Sequence, residues 1–197
     1  MKVYLVSDFE MTCCAHGEFD PTTESEIIEW ATVAVREDGC ILGEFHAFVK
    51  PVLHPILTKF CKKLTKIEQG WVDNAPQFSE VFLEFESWVR NVAVDRPREL
   101  VTVGNGDIKQ LRLEAGRSLQ AFSVLNLDPS TPDFINLKVA YPKAKGVNPR
   151  KLRLGLKGML MQEGLEMDGE HHRALWDARN TAKLLPACGL TKSLWKR

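Results

Sequence analysis

Two carboxylates interrupt an apolar run near the start of the chain. In VYLVSDFEM, residues 3–11, Asp8 and Glu10 follow Val3, Tyr4, Leu5 and Val6, residues suited to the interior of a sheet. Side chains alternate faces along a strand, so Asp8 and Glu10 share one face, roughly 6 to 7 Å apart, and Phe9 takes the other. Two hard oxygen donors at that separation suit Mg²⁺ or Mn²⁺. Similar acid pairs at Glu18/Asp20, Glu24/Glu26, Glu84/Glu86 and Glu166/Asp168 read as solvated surface. The apolar lead-in sets Asp8 and Glu10 apart, because buried anions are costly without a cation or hydrogen-bond donors.

Two further stretches offer acids in telling positions. Asp107 follows Gly104-Asn105-Gly106 where a strand should hand over to a helix. Capping that helix and holding a metal are both open to it, and the carboxyl ends of strands are where open α/β sheets gather their sites. In HHRALWDARNTAKLL, residues 171–185, a helix from about residue 173 puts Ala174, Asp177, Ala178, Thr181, Ala182 and Leu185 on one stripe. Asp177 then lies inside the helix on the face that buries, where capping does not account for it. His172, five residues earlier, reads alone as a surface or capping residue; beside a carboxylate cluster it is a candidate general base.

The elements that must position these residues follow from periodicity and turn chemistry. Strands are expected over 2–10, 26–37 and 41–49, the last two joined at Asp38-Gly39, a strong hairpin signal. The segment TKFCKKLTKIEQGWVDNAP reads as short helical turns. Phe78, Val81, Phe82, Phe85, Val89 and Val92 recur at helical spacing, with Asn74 or Asp73 to cap the start and Pro97 after the end. A strand over Leu100 to Val103 leads to a helix opened by Asp107, with Ile108, Leu111, Ala115 and Leu119 on one side. A brief strand near Phe134 to Leu137 and helices about 151–163 and 173–185 complete a mixed α/β sheet.

Composition bounds the answer. A chain of 197 residues suits one domain with a sizeable core. Its 26 basic and 26 acidic side chains balance, so any attraction for nucleic acid is local. The opening apolar run is too short for a secretory signal, and no stretch approaches the roughly 18 apolar residues of a membrane span. Cys13, Cys14, Cys40, Cys61 and Cys188 are odd in number and contain no CxxC pair, which argues for reduced thiols in a cytoplasmic protein.

In this order, DFE, GNGD and HHRALWDARN resemble the DEDDh (DnaQ-like) 3′-to-5′ exonucleases. FCKKLTKIEQGWVDNAPQF and the run from INLKVAYPKAK to NTAKLL resemble the branch containing the histone-mRNA and small-RNA 3′ exonucleases. The resemblance implies an RNase H-like fold whose five-stranded mixed sheet has its first three strands antiparallel, forming an exonuclease domain over 1–190 with a tail over 191–197. It implies two ions, Mg²⁺ or Mn²⁺: Asp8, Glu10 and Asp177 would hold one, Asp8 would share the second, and Asp107 would support the site through water. His172 would take the proton of the attacking water. Met11, Leu64 and Thr65 would frame the terminal nucleoside. Met11 stands where the branch often has a small residue, and Gly106 where an aromatic is common.

Lys143, Lys145, Arg150, Lys151, Arg153 and Lys157 form a strip without an acid. It reads either as a solvated basic face or as a track for a single strand, which would make Arg150, Lys151 and Arg153 substrate-binding. Trp71, with Phe60 nearby, is a candidate for base stacking, whereas Trp30, Trp88 and Trp176 read as packing. The expected activity is metal-dependent 3′-to-5′ hydrolysis of single-stranded nucleic acid, RNA before DNA, to nucleoside 5′-monophosphates. A DNA proofreading subunit and a catalytically silent nucleic-acid-binding module are the rival readings. No separate RNA-binding domain fits beside this fold in 197 residues, so a protein partner is expected to supply specificity.

Overall fold

A computed structural model describes residues 1–15, 17–120 and 134–192. The central strand β1 (Val3–Met11) alternates as its sequence requires. Val3, Leu5 and Phe9 enter one apolar layer, and Tyr4 and Val6 enter the other. Asp8 and Glu10 therefore lie on the Tyr4 face. β1 pairs antiparallel with β2 (Ile27–Arg36), which pairs antiparallel with β3 (Ile41–Phe48). On its other side β1 runs parallel to β4 (Arg98–Thr102), and β4 parallel to the short β5 (Phe134–Asn136). The sheet order is β3-β2-β1-β4-β5, a five-stranded mixed sheet with its first three strands antiparallel.

Helices cover both faces. After the short helices α1 (Lys59–Thr65) and α2 (Gln69–Asp73), α3 (Phe78–Val92) turns Phe78, Val81, Phe82, Phe85 and Val89 onto the Val3 face around fully buried Trp30. It starts neither at Asp73 nor at Asn74: the Gln77 N–H donates to the Glu80 carboxylate at 3.0 Å, so the capping group lies inside the first turn. Helix α4 (Asn105–Arg117) adds Ile108, Leu111 and Ala115 to this layer. Leu119 lies beyond its end with φ +52° and is exposed, so it is not part of the expected stripe.

The opposite layer holds α5 (Leu137–Ala144), α6 (Leu156–Gln162) and α7 (Ala174–Ala182), followed by a 3₁₀ turn over Pro186–Cys188. Helix α5 was not among the expected elements; it carries Pro142 inside it. Asn136 starts it by accepting the Lys138 N–H at 2.9 Å, and Leu137 and Tyr141 bury. The helix expected from 151 begins only at Leu156, with Gly155 before it; Arg150, Lys151 and Arg153 consequently sit on the connecting loop. All five cysteines are free thiols. Among the described residues no helix is long and apolar enough to cross a membrane. Of the expected tail, residues 193–197 lie outside the described residues.

Candidate active site

The acids converge at the carboxyl end of β1. Helix α7 packs across β1 and β2 on the Tyr4 face, its stripe of Ala174, Ala178 and Ala182 allowing close approach. One carboxylate oxygen each from Asp8, Glu10 and Asp177 lies within 4.8 Å of the others. Glu10 and Asp177 are buried and Asp8 is half-buried. Among the described residues no hydrogen-bond donor meets the carboxylate of Asp8 or Glu10. Burial, reinforced by Asp107, Glu10 and Asp177, holds the Asp8 carboxyl well above the usual carboxylate range. Burial, with Asp177 and Glu29 adding repulsion, pushes Glu10 up to about 8.

Asp107 arrives through topology. Val6 and Val101 are parallel partners, so β1 and β4 deliver Asp8 and the Val103-Gly104 turn to the same edge. Asp107 is the third residue of α4, not its cap; Gly104 takes that place. Burial raises its carboxyl to about 6, and the Asp107 and Gly104 amides and the Lys138 ammonium oppose that rise. Lys138 was not expected here; it follows Asn136, whose side chain also bonds Asn105 at 2.7 Å and so ties α5 to the α4 entrance.

Both histidines reach Asp177, in different ways. The His171 Nδ1 lies 2.9 and 3.0 Å from the two carboxylate oxygens, and the backbone N–H of His172 donates to Oδ2 at 3.0 Å. The rings stack with centroids 4.0 Å apart. His172 has φ +64°, a left-handed turn that aims its amide at Asp177. Asp177 lies in the first turn of α7, because the helix begins at Ala174. It therefore does accept a capping bond, contrary to the expectation from its apparently interior position. Burial and His171 depress the His172 imidazole, opposed by Asp177. The loop before the doublet is tightly fitted: Gly169 has φ +66°, and a Cβ there would overlap the Trp176 indole. Gly169→Ala is expected to cost about 2 to 5 kcal/mol, combining left-handed strain with overpacking, as read by thermal unfolding.

Of the residues expected around a nucleoside, Met11 ends β1, and Leu64 and Thr65 lie on α1. Cys61 of α1 directs its Sγ–H to the Met11 carbonyl at 3.6 Å, and Thr58 donates to the Cys13 carbonyl at 2.7 Å, fastening α1 to the exit of β1. Leu64 is half-buried and Thr65 buried, its hydroxyl donating to the Cys61 carbonyl. Trp71 is 41% exposed, with its ring 5.2 Å from Phe48 and under the Arg173 guanidinium. Arg153 lines a recess of about 250 Å³ with Lys138, whereas Arg150 and Lys151 are simply exposed. Lys145 of the basic strip pairs with Glu163, outside it, at 2.7 Å.

Sequence reasoning missed Glu29. It is buried, directly opposite Glu10 in the β1–β2 register. Unlike Asp8 and Glu10 it is fully partnered, by Arg173, His46 and the Ala174 amide. The signal was present, since Glu29 interrupts the apolar run IIEWATVAV much as Asp8 interrupts VYLV.

A five-stranded mixed sheet flanked by helices, with acids gathered at the end of its central strand, defines an RNase H-like nuclease fold. The family model described as Exonuclease (RNase_T) matches residues 5–185, and the chain belongs to that family. It is 30% identical over 193 residues to ERI1 exoribonuclease 2 of Danio rerio, covering 91% of this chain and 34% of that protein. It is 30% identical over 198 residues to ERI1 exoribonuclease 3 of Homo sapiens, covering 98% of this chain and 56% of that one. The chain thus spans about a third to a little over half the length of these relatives. The nuclease domain of 3′hExo, a DEDDh family member bound to rAMP, is 27% identical with a TM-score of 0.78, covering 93% of this chain and 88% of that one.

Proposed function

We propose that the protein is a divalent-metal-dependent 3′-to-5′ exonuclease that releases nucleoside 5′-monophosphates from single-stranded RNA. One contrast carries this reading. Glu29 is buried with a full set of donors, whereas Asp8 and Glu10 are crowded against Asp177 with none among the described residues. Carboxylates left in that condition are tolerable when cations join them, and a hard, all-oxygen donor set fits Mg²⁺ or Mn²⁺. Asp8, Glu10 and Asp177 would hold one ion, Asp8 would share a second, and Asp107 would support the pair through water. Bound there, such ions supply Lewis-acid activation and charge stabilisation at a phosphodiester.

The protein's own groups would do the rest. His172, its imidazole made harder to protonate by burial, would accept the proton of the attacking water. Met11, Leu64 and Thr65 would enclose the terminal nucleoside, Trp71 would stack a base, and Arg150, Lys151 and Arg153 would attract phosphates. The names of the exoribonuclease relatives and the rAMP-bound neighbour favour RNA. Free thiols suit the cytoplasm. The exonuclease domain would extend over 1–190, and a partner protein would supply substrate choice.

A 5′-labelled oligoribonucleotide is expected to shorten to a ladder with Mg²⁺ or Mn²⁺ and to stay intact with chelator. A faster ladder on the matched DNA would transfer the assignment to a DNA exonuclease. Binding without shortening of either strand would make the chain a silent module.

A further inference from the structure

The buried pair beneath the acids does more than neutralise itself. Glu29 has no exposed side-chain surface. From β2 it receives the Arg173 Nε and Nη2 at 3.1 Å each, the Ala174 N–H at 3.1 Å and His46 Nε2 of β3 at 2.8 Å. The Arg173 guanidinium lies 5.2 Å from the centroid of Trp71 and 5.8 Å from that of Phe48. Four elements thus meet on one residue pair at the point where α7 begins.

That point is next to the chemistry. Arg173 immediately precedes the first helical residue and follows His172; its carbonyl accepts the Asp177 N–H at 3.0 Å. Glu29 is the cross-strand partner of Glu10. Gripping both the Arg173 side chain and the Ala174 amide from β2 fixes the translation and rotation of the first turn of α7 against the strand pair that carries Asp8 and Glu10. A planar guanidinium fork supplies direction that an apolar contact of equal size would not. We infer that Glu29 and Arg173 are positioning residues for the active site, setting the register of α7 on the sheet so that Asp177 and the His171-His172 doublet face Glu10. They act through α7, and their catalytic meaning rests on the exonuclease reading above.

Arg173→Met tests this by turnover, affinity and local exchange in the full chain. Misplacing a reacting constellation costs on the order of 10²-fold. Arg173→Met is expected to lose kcat on that scale with KM within about threefold, because Met11, Leu64 and Thr65 stay in place and only the ring of Trp71 loses its covering guanidinium. Amide hydrogen exchange should accelerate most in a peptide covering residues 171–178, with smaller changes confined to the segments around Glu29, Phe48 and Trp71 that the guanidinium touches. Arg173→Lys, which keeps the charge without the fork, should fall between the two, and free guanidinium ion should restore part of the Arg173→Met rate. An unchanged kcat, a loss carried by KM, or a loss matching only the fall in folded fraction would overturn the inference. So would Arg173→Lys turning over as fast as the parent. If the parent protein cleaves no oligonucleotide the exonuclease reading falls, and the exchange measurement still decides the clamp: unchanged exchange at 171–178 in Arg173→Met overturns it.

Discussion

Asp8→Asn is expected to lower turnover of an oligoribonucleotide by roughly 10³-fold or more, the scale reached when a group that organises transition-state charge is removed. Asp8 is the acid shared by both proposed ions, and it has no protein donor among the described residues to replace them. The same substitution should have the opposite effect on the metal-free fold. Burial and the neighbouring acids raise the Asp8 and Glu10 carboxyls above their unfolded values, so folding takes up protons. The stability they lend is complete below the ordinary carboxylate range and declines as pH rises, for Glu10 between 4.5 and about 8. Metal-free protein should therefore melt lower at pH 8 than at pH 5. Asp8→Asn, with one charge fewer in the cluster, should melt higher than the parent at pH 8 and show a shallower pH trend. Mn²⁺ should raise the parent's melting temperature more at pH 8 than at pH 5. Parallel melting curves for the two proteins across this range, together with undiminished cleavage, would refute the role given to Asp8.

His172→Ala is expected to cost about 10² to 10⁴ in kcat, the usual contribution of a positioned general base. The geometry makes this substitution informative. His172 bonds Asp177 through its backbone N–H, which alanine retains, so the change removes the imidazole and leaves the turn's anchor. His171 instead uses its ring on both Asp177 oxygens and competes for the carboxylate a cation would need. His171→Ala should accordingly keep kcat within a few-fold of the parent. A base must be deprotonated to act, so the parent's rate should rise with pH to a plateau. Burial and His171 lower the imidazole's pKa, which places that rise below the ordinary histidine value of 6.5. His172→Ala should lose this acid limb. A severe loss in His171→Ala with an intact rate in His172→Ala would exchange the two roles.

The legibility of this protein divides along a physical line. What depends on neighbours a few residues away was readable. The period-two alternation of VYLVSDFEM put Asp8 and Glu10 on one face, the Asp38-Gly39 turn joined β2 to β3, and the apolar spacing from Phe78 marked α3. Asp177 stood out because a carboxylate among alanines conflicts with its own stripe. Local signals failed where two local rules compete. The helix that Asn136 starts and that Leu137 and Tyr141 bury, with Pro142 inside it, was not among the expected elements, and α6 begins only after Gly155, leaving Lys151 and Arg153 before it and Lys157 on it.

By itself the sequence determined the residue types on which the proposed metal-assisted hydrolysis rests, the strand carrying two of the acids and the family to which the ordered motifs belong. Only the tertiary structure decided that Glu29 is a partnered acid and not one left without donors like Asp8 and Glu10, because its guanidinium partner, Arg173, lies 144 positions away. It also decided which part of each histidine touches Asp177, since that follows from the positive φ of His172 and the seating of α7. Periodicity is a one-dimensional property, whereas the free energy of a buried charge is set by whatever the fold brings within a few ångströms of it.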